Sequence, residues 1–134
     1  MCEVENTDLF PVRLSSASAE MYRRMAALSA DEGERAYLTA IAEEHPGWQE
    51  SLGERQKEML GTTIAFTMAG GSQAANVIPQ EAYVICNIRV APGETVAGAV
   101  AALQAVADRH QVELEVLRSN EPSPVTDPRG EAFV

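Results

Sequence analysis

An α+β fold is predicted by three features of this 134-residue sequence. Residues 15–59 are rich in Ala, Glu, Met and Arg and contain no run of β-branched residues, which favours helices. Beyond residue 60 the apolar pattern changes to alternation, over 62–69 and again over 81–90. A helical stripe and a third alternating run follow. This order predicts a ferredoxin-like α/β sandwich that lacks its first strand and helix and carries an N-terminal helical insertion.

Two or three helices are expected in the N-terminal part. The first carries apolar residues at three- and four-residue spacing, so one side of it is expected to pack on another surface. The second opens with an acidic residue followed three positions later by Glu, which is the spacing of a capping box. The predicted helix starts are, in order, Ser16 or Ser18, then Asp31 with Glu34, and finally Trp48, whose helix is predicted to reach Met59.

Two strands follow the helices. The first places the even-numbered residues from Thr62 to Met68 on one face and ends at a Gly-Gly turn. The second runs over about 81–90, where the even-numbered residues form an apolar row and the odd-numbered residues, including Arg89, face the other way. The even-numbered face is therefore expected to cover the core, and Arg89 is expected on the uncovered face.

A helix and a third strand complete the pattern. Thr95 is predicted to cap a helix that runs to about Arg109 and packs an apolar stripe on the sheet. The third strand is expected over 111–117, with Val112, Leu114 and Val116 facing inward. Three prolines then occur within seven residues, from Pro122 to Pro128, which is typical of a connector. The predicted division is a helical insertion at 1–59, a ferredoxin-like core at 60–120 and a connector at 121–134.

Composition limits the class of partner. Twenty acidic and ten basic residues give a net charge of −10, which repels phosphate backbones and anionic lipid, so neither nucleic acid nor a membrane is expected as a partner. The sequence shows no apolar run of about 18 residues and no signal-peptide pattern, so a cytoplasmic location is expected. Its two cysteines are too few for a disulfide framework. The expected partner is a small molecule or a protein.

Few residues offer catalytic chemistry. A hydrolytic metal centre needs several side chains around one ion, whereas the chain has two histidines, each at a predicted helix end. Glu43 and Glu44 point about 100° apart on a helix, so we interpret them as a solvated face. There remain Arg89, whose guanidinium can bind a carboxylate through two hydrogen bonds, and Asn76, whose amide can donate to a substrate oxygen from a loop stiffened by Pro79. The pattern alone leaves an ordinary surface role for Arg89 open.

A resemblance to a known family runs through residues 62–96. Its ordered features are a Thr-rich strand, a Gly-Gly turn, Asn-Val-Ile-Pro, an Asn-x-Arg strand end and Pro-Gly before a helix. This set resembles the lid, or dimerisation, domain of metallopeptidase family 20, which includes carboxypeptidase S-like peptidases, aminoacylases, acetylornithine deacetylase and succinyl-diaminopimelate desuccinylase. The branch that it resembles most is that of carboxypeptidase S and the N-acyl-amino-acid hydrolases, because of Phe10-Pro11-Val12-Arg13-Leu14, Thr62-Thr63 and Pro122-Ser123-Pro124.

The resemblance implies a function for the parent protein as a zinc-dependent peptidase or amidohydrolase that cleaves amide bonds of peptides or N-acyl amino acids. Asn76 and Arg89 match lid residues that hold the carboxylate and carbonyl oxygens of the substrate, and Gly70 and Gly71 match the turn beside them. Two zinc ions and the catalytic Glu would belong to a separate catalytic domain. No catalytic residue and no metal ligand is therefore expected in this chain, and the isolated chain is expected to be inactive.

The implied partners are a small-molecule or peptide substrate with a free carboxylate, the chain's own catalytic domain, and a second copy in a homodimer. Two other functions stay open. One is a stand-alone ferredoxin-like regulatory module that binds an amino acid or small acid and pairs with itself. The other is a purely structural assembly domain. Carboxylate binding that depends on Arg89 would favour the lid domain or the regulatory module over the structural assembly domain. Flanking sequence would distinguish the lid domain from the regulatory module.

Overall fold

The computed structural model describes residue 1 and residues 3–4, 8–127 and 129–130. Within these residues a group of helices precedes a two-stranded antiparallel sheet, and one further helix follows it. The α+β class is therefore confirmed. The elements are α1 (Ser16–Leu28), α2 (Glu32–Ala42), α3 (Trp48–Ser51), α4 (Glu54–Leu60), β1 (Thr63–Gly70), β2 (Tyr83–Arg89) and α5 (Val96–Arg109).

The first two helices begin with side-chain caps. The prediction of Ser16 or Ser18 as the cap of α1 was wrong, because Ser15 Oγ accepts the hydrogen bond from the backbone N–H of Ser18 at 3.1 Å. Ser15, Ser16 and Ser18 can all cap a helix by residue type, so the local sequence does not decide among them. Asp31 caps α2 as predicted, since its carboxylate accepts from the N–H of Glu34 at 2.7 Å.

The predicted helix from Trp48 to Met59 is two short helices, so the expectation of one continuous helix was wrong. Gly53 lies between them in an extended conformation, with φ −72° and ψ 159°. This break directs the neighbouring Leu52 into the core, where it is 4% exposed. A new cap then starts α4, because Gln56 Oε1 accepts a hydrogen bond from the N–H of Gly53 at 2.9 Å.

The two strands form an antiparallel pair joined by a loop over 71–82. In the register, Gly70 lies opposite Tyr83 at the loop end, and Thr63 lies opposite Arg89 at the far end. Both strands begin and end close to the predicted positions. The pair therefore holds the start of β1 beside the end of β2.

A β-bulge interrupts the alternation of β1. Phe66 pairs with Cys86, but Met68 pairs with Ile85, so Thr67 is an extra residue. An extra residue moves the following side chain to the opposite face of the sheet. Met68 is accordingly 58% exposed, and the prediction that it shares a face with Ile64 and Phe66 was wrong.

Buried side chains form two clusters. The helical cluster comes from α1 to α4 and the residues beside them, and it contains the largest fully buried side chains, Tyr22 and Ile41. The sheet cluster joins one face of α5 to one face of the strand pair, as the sequence predicted. Its members are Val4, Leu103 and Val106, with Leu9, Phe10, Ile64, Phe66, Ile88 and Leu114 packed against them.

Helix α5 has the predicted bounds. Thr95 Oγ1 accepts a hydrogen bond from the N–H of Gly98 at 3.1 Å, and the helix ends at Arg109. At the N-terminal end of α5, the carboxylate of Glu121 accepts a hydrogen bond from the N–H of Val96 at 3.1 Å. A carboxylate at a helix N-terminus interacts favourably with the helix dipole. This contact brings the chain beyond 117 back to the start of α5.

The third strand predicted over 111–117 is not formed, which corrects that prediction. Leu114 contacts the sheet cluster, but Val112 and Val116 are 58% and 50% exposed. In a split β-α-β unit, two strands joined by one helix are not neighbours in the sheet, because another strand lies between them. A strand over 111–117 would need such an intervening strand beside β2. The described residues supply no such strand, so 111–117 has no ladder partner. The ferredoxin-like arrangement and the division at 59 and 120 stay predictions.

Helix length bears on membrane insertion. Within the described part of the chain, no helix is both long enough and apolar enough to cross a bilayer.

Candidate functional site

Arg89 lies at the end of β2, on the sheet face that α5 does not cover. Its neighbour Ile88 contacts the sheet cluster, so alternation places Arg89 on the opposite face. The residue is exposed, and it forms no ion pair with any residue in the described ranges. An exposed guanidinium with this freedom can donate two parallel hydrogen bonds to a carboxylate.

Asn87 is a neighbour of Arg89 that the sequence reasoning did not include among the site residues. It lies on the same face two positions earlier, opposite Ala65, and it is exposed. Its amide can donate to an oxygen of a carboxylate that Arg89 holds. The available signal was the period of two in the Asn-x-Arg strand end, which places both side chains on one face.

Asn76 lies in a turn within the loop over 71–82. The N–H of Val77 donates to the carbonyl of Ala74 at 3.2 Å, so Asn76 is the third residue of this turn. Ser72 Oγ donates to the carbonyl of Ala74 at 2.8 Å and accepts from its N–H at 3.2 Å. Every residue of the loop is exposed. These hydrogen bonds within the loop stabilise the turn, and the exposed Asn76 amide is available to a ligand.

Gly70 and Gly71, predicted to lie beside the substrate, make close contacts within the hairpin. Neither adopts a positive φ. A Cβ on Gly70 would lie 2.5 Å from Cζ of Tyr83, and a Cβ on Gly71 would lie 3.4 Å from Cγ of Pro79. Only at Gly70 does the space taken by the facing ring require glycine, because a Cβ on Gly71 would make an ordinary van der Waals contact with Pro79.

The structure does not bring Asn76 and Arg89 together within one copy of the chain. Asn76 is in the loop beyond Tyr83, whereas Arg89 lies opposite Thr63 at the other end of the strand pair. Six residue steps of strand separate Tyr83 from Arg89, which corresponds to about 20 Å. A substrate the size of an amino acid cannot reach across that distance.

Neither histidine belongs to a group that resembles a metal site. In the part of the chain that the structure describes, no three His, Cys, Asp or Glu side chains could hold one ion. His45 pairs with Glu43 at 3.0 Å, and His110 pairs with Glu3, which also contacts Arg109. The hydrogen bonds from His110 and Arg109 hold the pKa of Glu3 below its usual value. This trio therefore ties the N-terminal segment to the end of α5.

Comparison with known proteins places the domain in a family. The family model described as the peptidase dimerisation domain matches residues 10–115. Over 62 residues the chain is 36% identical to a succinyl-diaminopimelate desuccinylase from Nitrosospira multiformis, and this match covers 46% of the chain and 16% of that protein. The chain thus spans a small part of the relative's length. No solved structure matches the chain. Because the family model matches most of its length, the chain belongs to the peptidase dimerisation domain family.

Proposed function

We propose that this domain is the lid of a zinc-dependent peptidase or amidohydrolase, where it binds the substrate carboxylate and pairs with a second copy of itself. The observation that carries the proposal is Arg89, an exposed arginine at the end of β2 on the uncovered face of the sheet. Membership in a family of peptidase domains and the likeness to a desuccinylase support a hydrolase as the parent protein.

Arg89 would bind the substrate through charge and geometry. Its planar guanidinium presents two parallel N–H donors to the two oxygens of a carboxylate, and a hydrogen bond between charged groups contributes about 1.5–3 kcal/mol. Asn87 lies on the same face and adds a neutral donor. Lysine has no such fork of donors, so Arg89→Lys is expected to keep the charge and lose the orientation of the substrate.

Asn76 would act on the same substrate only from the partner copy. About 20 Å of strand separates the loop of one hairpin from its own Arg89. In a twofold dimer, the loop of one copy can approach the Arg89 end of the other. Each site would then combine Arg89 of one protomer with Asn76 of its partner, and Asn76 would donate to the carbonyl oxygen as negative charge develops there.

Zinc chemistry would belong to a separate catalytic domain. The described residues do not fit a zinc site, because such a site takes at least three protein ligands and no such group is present among them. A zinc centre supplies an activated water for amide hydrolysis. The contribution of this chain is to bind the carboxylate, orient the scissile bond and close over the site.

The role of Arg89 can be tested in the full-length protein that carries this domain. Arg89→Ala is expected to lower kcat/KM for N-succinyl-diaminopimelate or N-acetyl amino acids by about two orders of magnitude, because a charged hydrogen-bond pair is lost. Arg55→Ala, which removes an exposed arginine on α4, is the matched control and should leave kcat/KM unchanged. An Arg89→Ala enzyme within about threefold of wild type on every substrate would contradict the proposal.

A further inference from the structure

The ring of Tyr83 lies directly on the backbone of Gly70. The two residues are opposite each other in the strand pair, at the point where the loop over 71–82 begins and ends. A Cβ added to Gly70 would lie 2.5 Å from Cζ, 2.6 Å from the hydroxyl oxygen and 2.7 Å from Cε1 of Tyr83. Any side chain at position 70 would therefore displace the ring.

The Tyr83 side chain lies on Gly70, outside both buried clusters. Tyr83 is 57% exposed, it belongs to neither buried cluster, and its hydroxyl makes no hydrogen bond with a residue that the structure describes. An aromatic ring that covers a cross-strand glycine stabilises the local strand pairing. Its effect is therefore expected at the loop and not in the core.

A second contact holds the other side of the same loop. Pro79 lies against Gly71, with its Cγ 3.4 Å from the position of a Cβ there, and Ala82 lies 3.6 Å from that position. Apart from these contacts at its base, the loop is held by the turn around Ala74, and none of its residues belongs to a buried cluster. The direction in which the loop leaves the sheet therefore depends on the ring of Tyr83 and the ring of Pro79.

We propose that Tyr83 is a positioning residue whose ring, seated on Gly70, orients the loop so that Asn76 meets the substrate. This inference rests on the proposed function of Asn76. Without the Tyr83 ring on Gly70, the loop gains conformational freedom, so Asn76 is held less accurately. A displacement of about 1 Å at a reacting group costs up to two orders of magnitude in rate. Tyr83 itself touches no substrate in this arrangement.

Kinetics of the full-length enzyme test the proposal. Tyr83→Ala is expected to lower kcat about tenfold and to leave KM within about twofold, because Asn76 acts on charge that develops in the transition state. Tyr83→Phe keeps the ring and should keep the wild-type kcat. Val84→Ala is the matched control, since Val84 is the next residue of β2, is 44% exposed and faces the other way. A Tyr83→Ala enzyme with the wild-type kcat would overturn the proposal.

Two double variants separate positioning from a general loss of structure. In the Asn76→Ala background, Tyr83→Ala should cause no further loss of kcat, and additive losses would overturn the proposal. Gly70→Ala should also lower kcat, but it should have no further effect in the Tyr83→Ala background, because the ring that its methyl group meets is gone. Independent losses at these two positions would contradict the stacking role.

Nuclear magnetic resonance of the 134-residue chain distinguishes a failure of this proposal from a failure of the proposed function. Tyr83→Ala should shift the backbone amides of the loop and the side-chain amide of Asn76, while the amides of α5 keep their positions. Unchanged loop signals would overturn the positioning role whatever Asn76 does. Shifted loop signals together with a fully active Asn76→Ala enzyme would support positioning of the loop and contradict the role of Asn76 in catalysis.

Discussion

At the scale of single residues, the amide of Gln56 joins three parts of the helical cluster. Its Oε1 accepts hydrogen bonds from the N–H of Gly53 and the hydroxyl of Tyr37, both at 2.9 Å. Its Nε2 lies 3.5 Å from the hydroxyl of Tyr22, which is 2% exposed. Burial raises the pKa of Tyr22, and the hydrogen bond from Gln56 opposes that rise. The cap of α4 and the buried ring of α1 therefore depend on one side chain.

Replacing Gln56 should destabilise the fold more than replacing its neighbour. Gln56→Ala removes a helix cap and the partner of the buried Tyr22 hydroxyl, whereas Tyr37 keeps its hydrogen bond to the carbonyl of Ser51 at 3.2 Å. The free energy of unfolding should therefore fall by about 2–3 kcal/mol. Urea denaturation followed by circular dichroism measures this change. Arg55→Ala, on the exposed side of α4, should stay within about 0.5 kcal/mol of wild type. Equal values for the two variants would contradict this account of Gln56.

The roles of the two glycines could be predicted only in part. A Gly-Gly turn after a strand is visible in the sequence, but the reason for glycine at Gly70 is the ring of Tyr83, thirteen positions later. Which residue faces Gly70 depends on the strand register, and the register depends on the bulge at Thr67. Local sequence does not contain that information.

At the scale of elements, α5 and α2 were predictable because each carries its own signals. Thr95 and Asp31 are polar caps at the start of an apolar stripe, and the periodicity that follows is local. The strand expected over 111–117 has a comparable apolar pattern, but a strand needs a partner that forms hydrogen bonds with it. Its formation depends on residues far away in the chain, so the pattern was not sufficient.

The cap of α1 gives a direct test at this scale. Ser15→Ala should lower the free energy of unfolding by about 1 kcal/mol, because the N–H of Ser18 loses its acceptor. Ser16→Ala is the matched control, since Ser16 lies inside the first turn and its side chain caps nothing in α1. Thermal or urea unfolding of both variants would measure the difference. A larger loss for Ser16→Ala than for Ser15→Ala would contradict the assignment.

At the scale of the whole molecule, the separation of Asn76 from Arg89 decides how the domain can work. The two residues were joined in the sequence interpretation through their resemblance to a family pattern. The chain between them contains part of a loop and then an extended strand. The strand alone places Tyr83, where the loop of Asn76 ends, about 20 Å from Arg89 in one copy. The pairing of copies is therefore a requirement of the proposed site, and it agrees with the family's description as a dimerisation domain.

A mixed dimer of the full-length protein tests this requirement most directly. One protomer would carry Asn76→Ala and the other Arg89→Ala, with two different affinity tags so that the heterodimer can be purified from both homodimers. A site shared between copies leaves the heterodimer with one intact site and one doubly altered site. The account predicts about half of the wild-type kcat for the heterodimer, and strongly reduced activity for each variant homodimer. A heterodimer no more active than the variant homodimers would contradict a shared site.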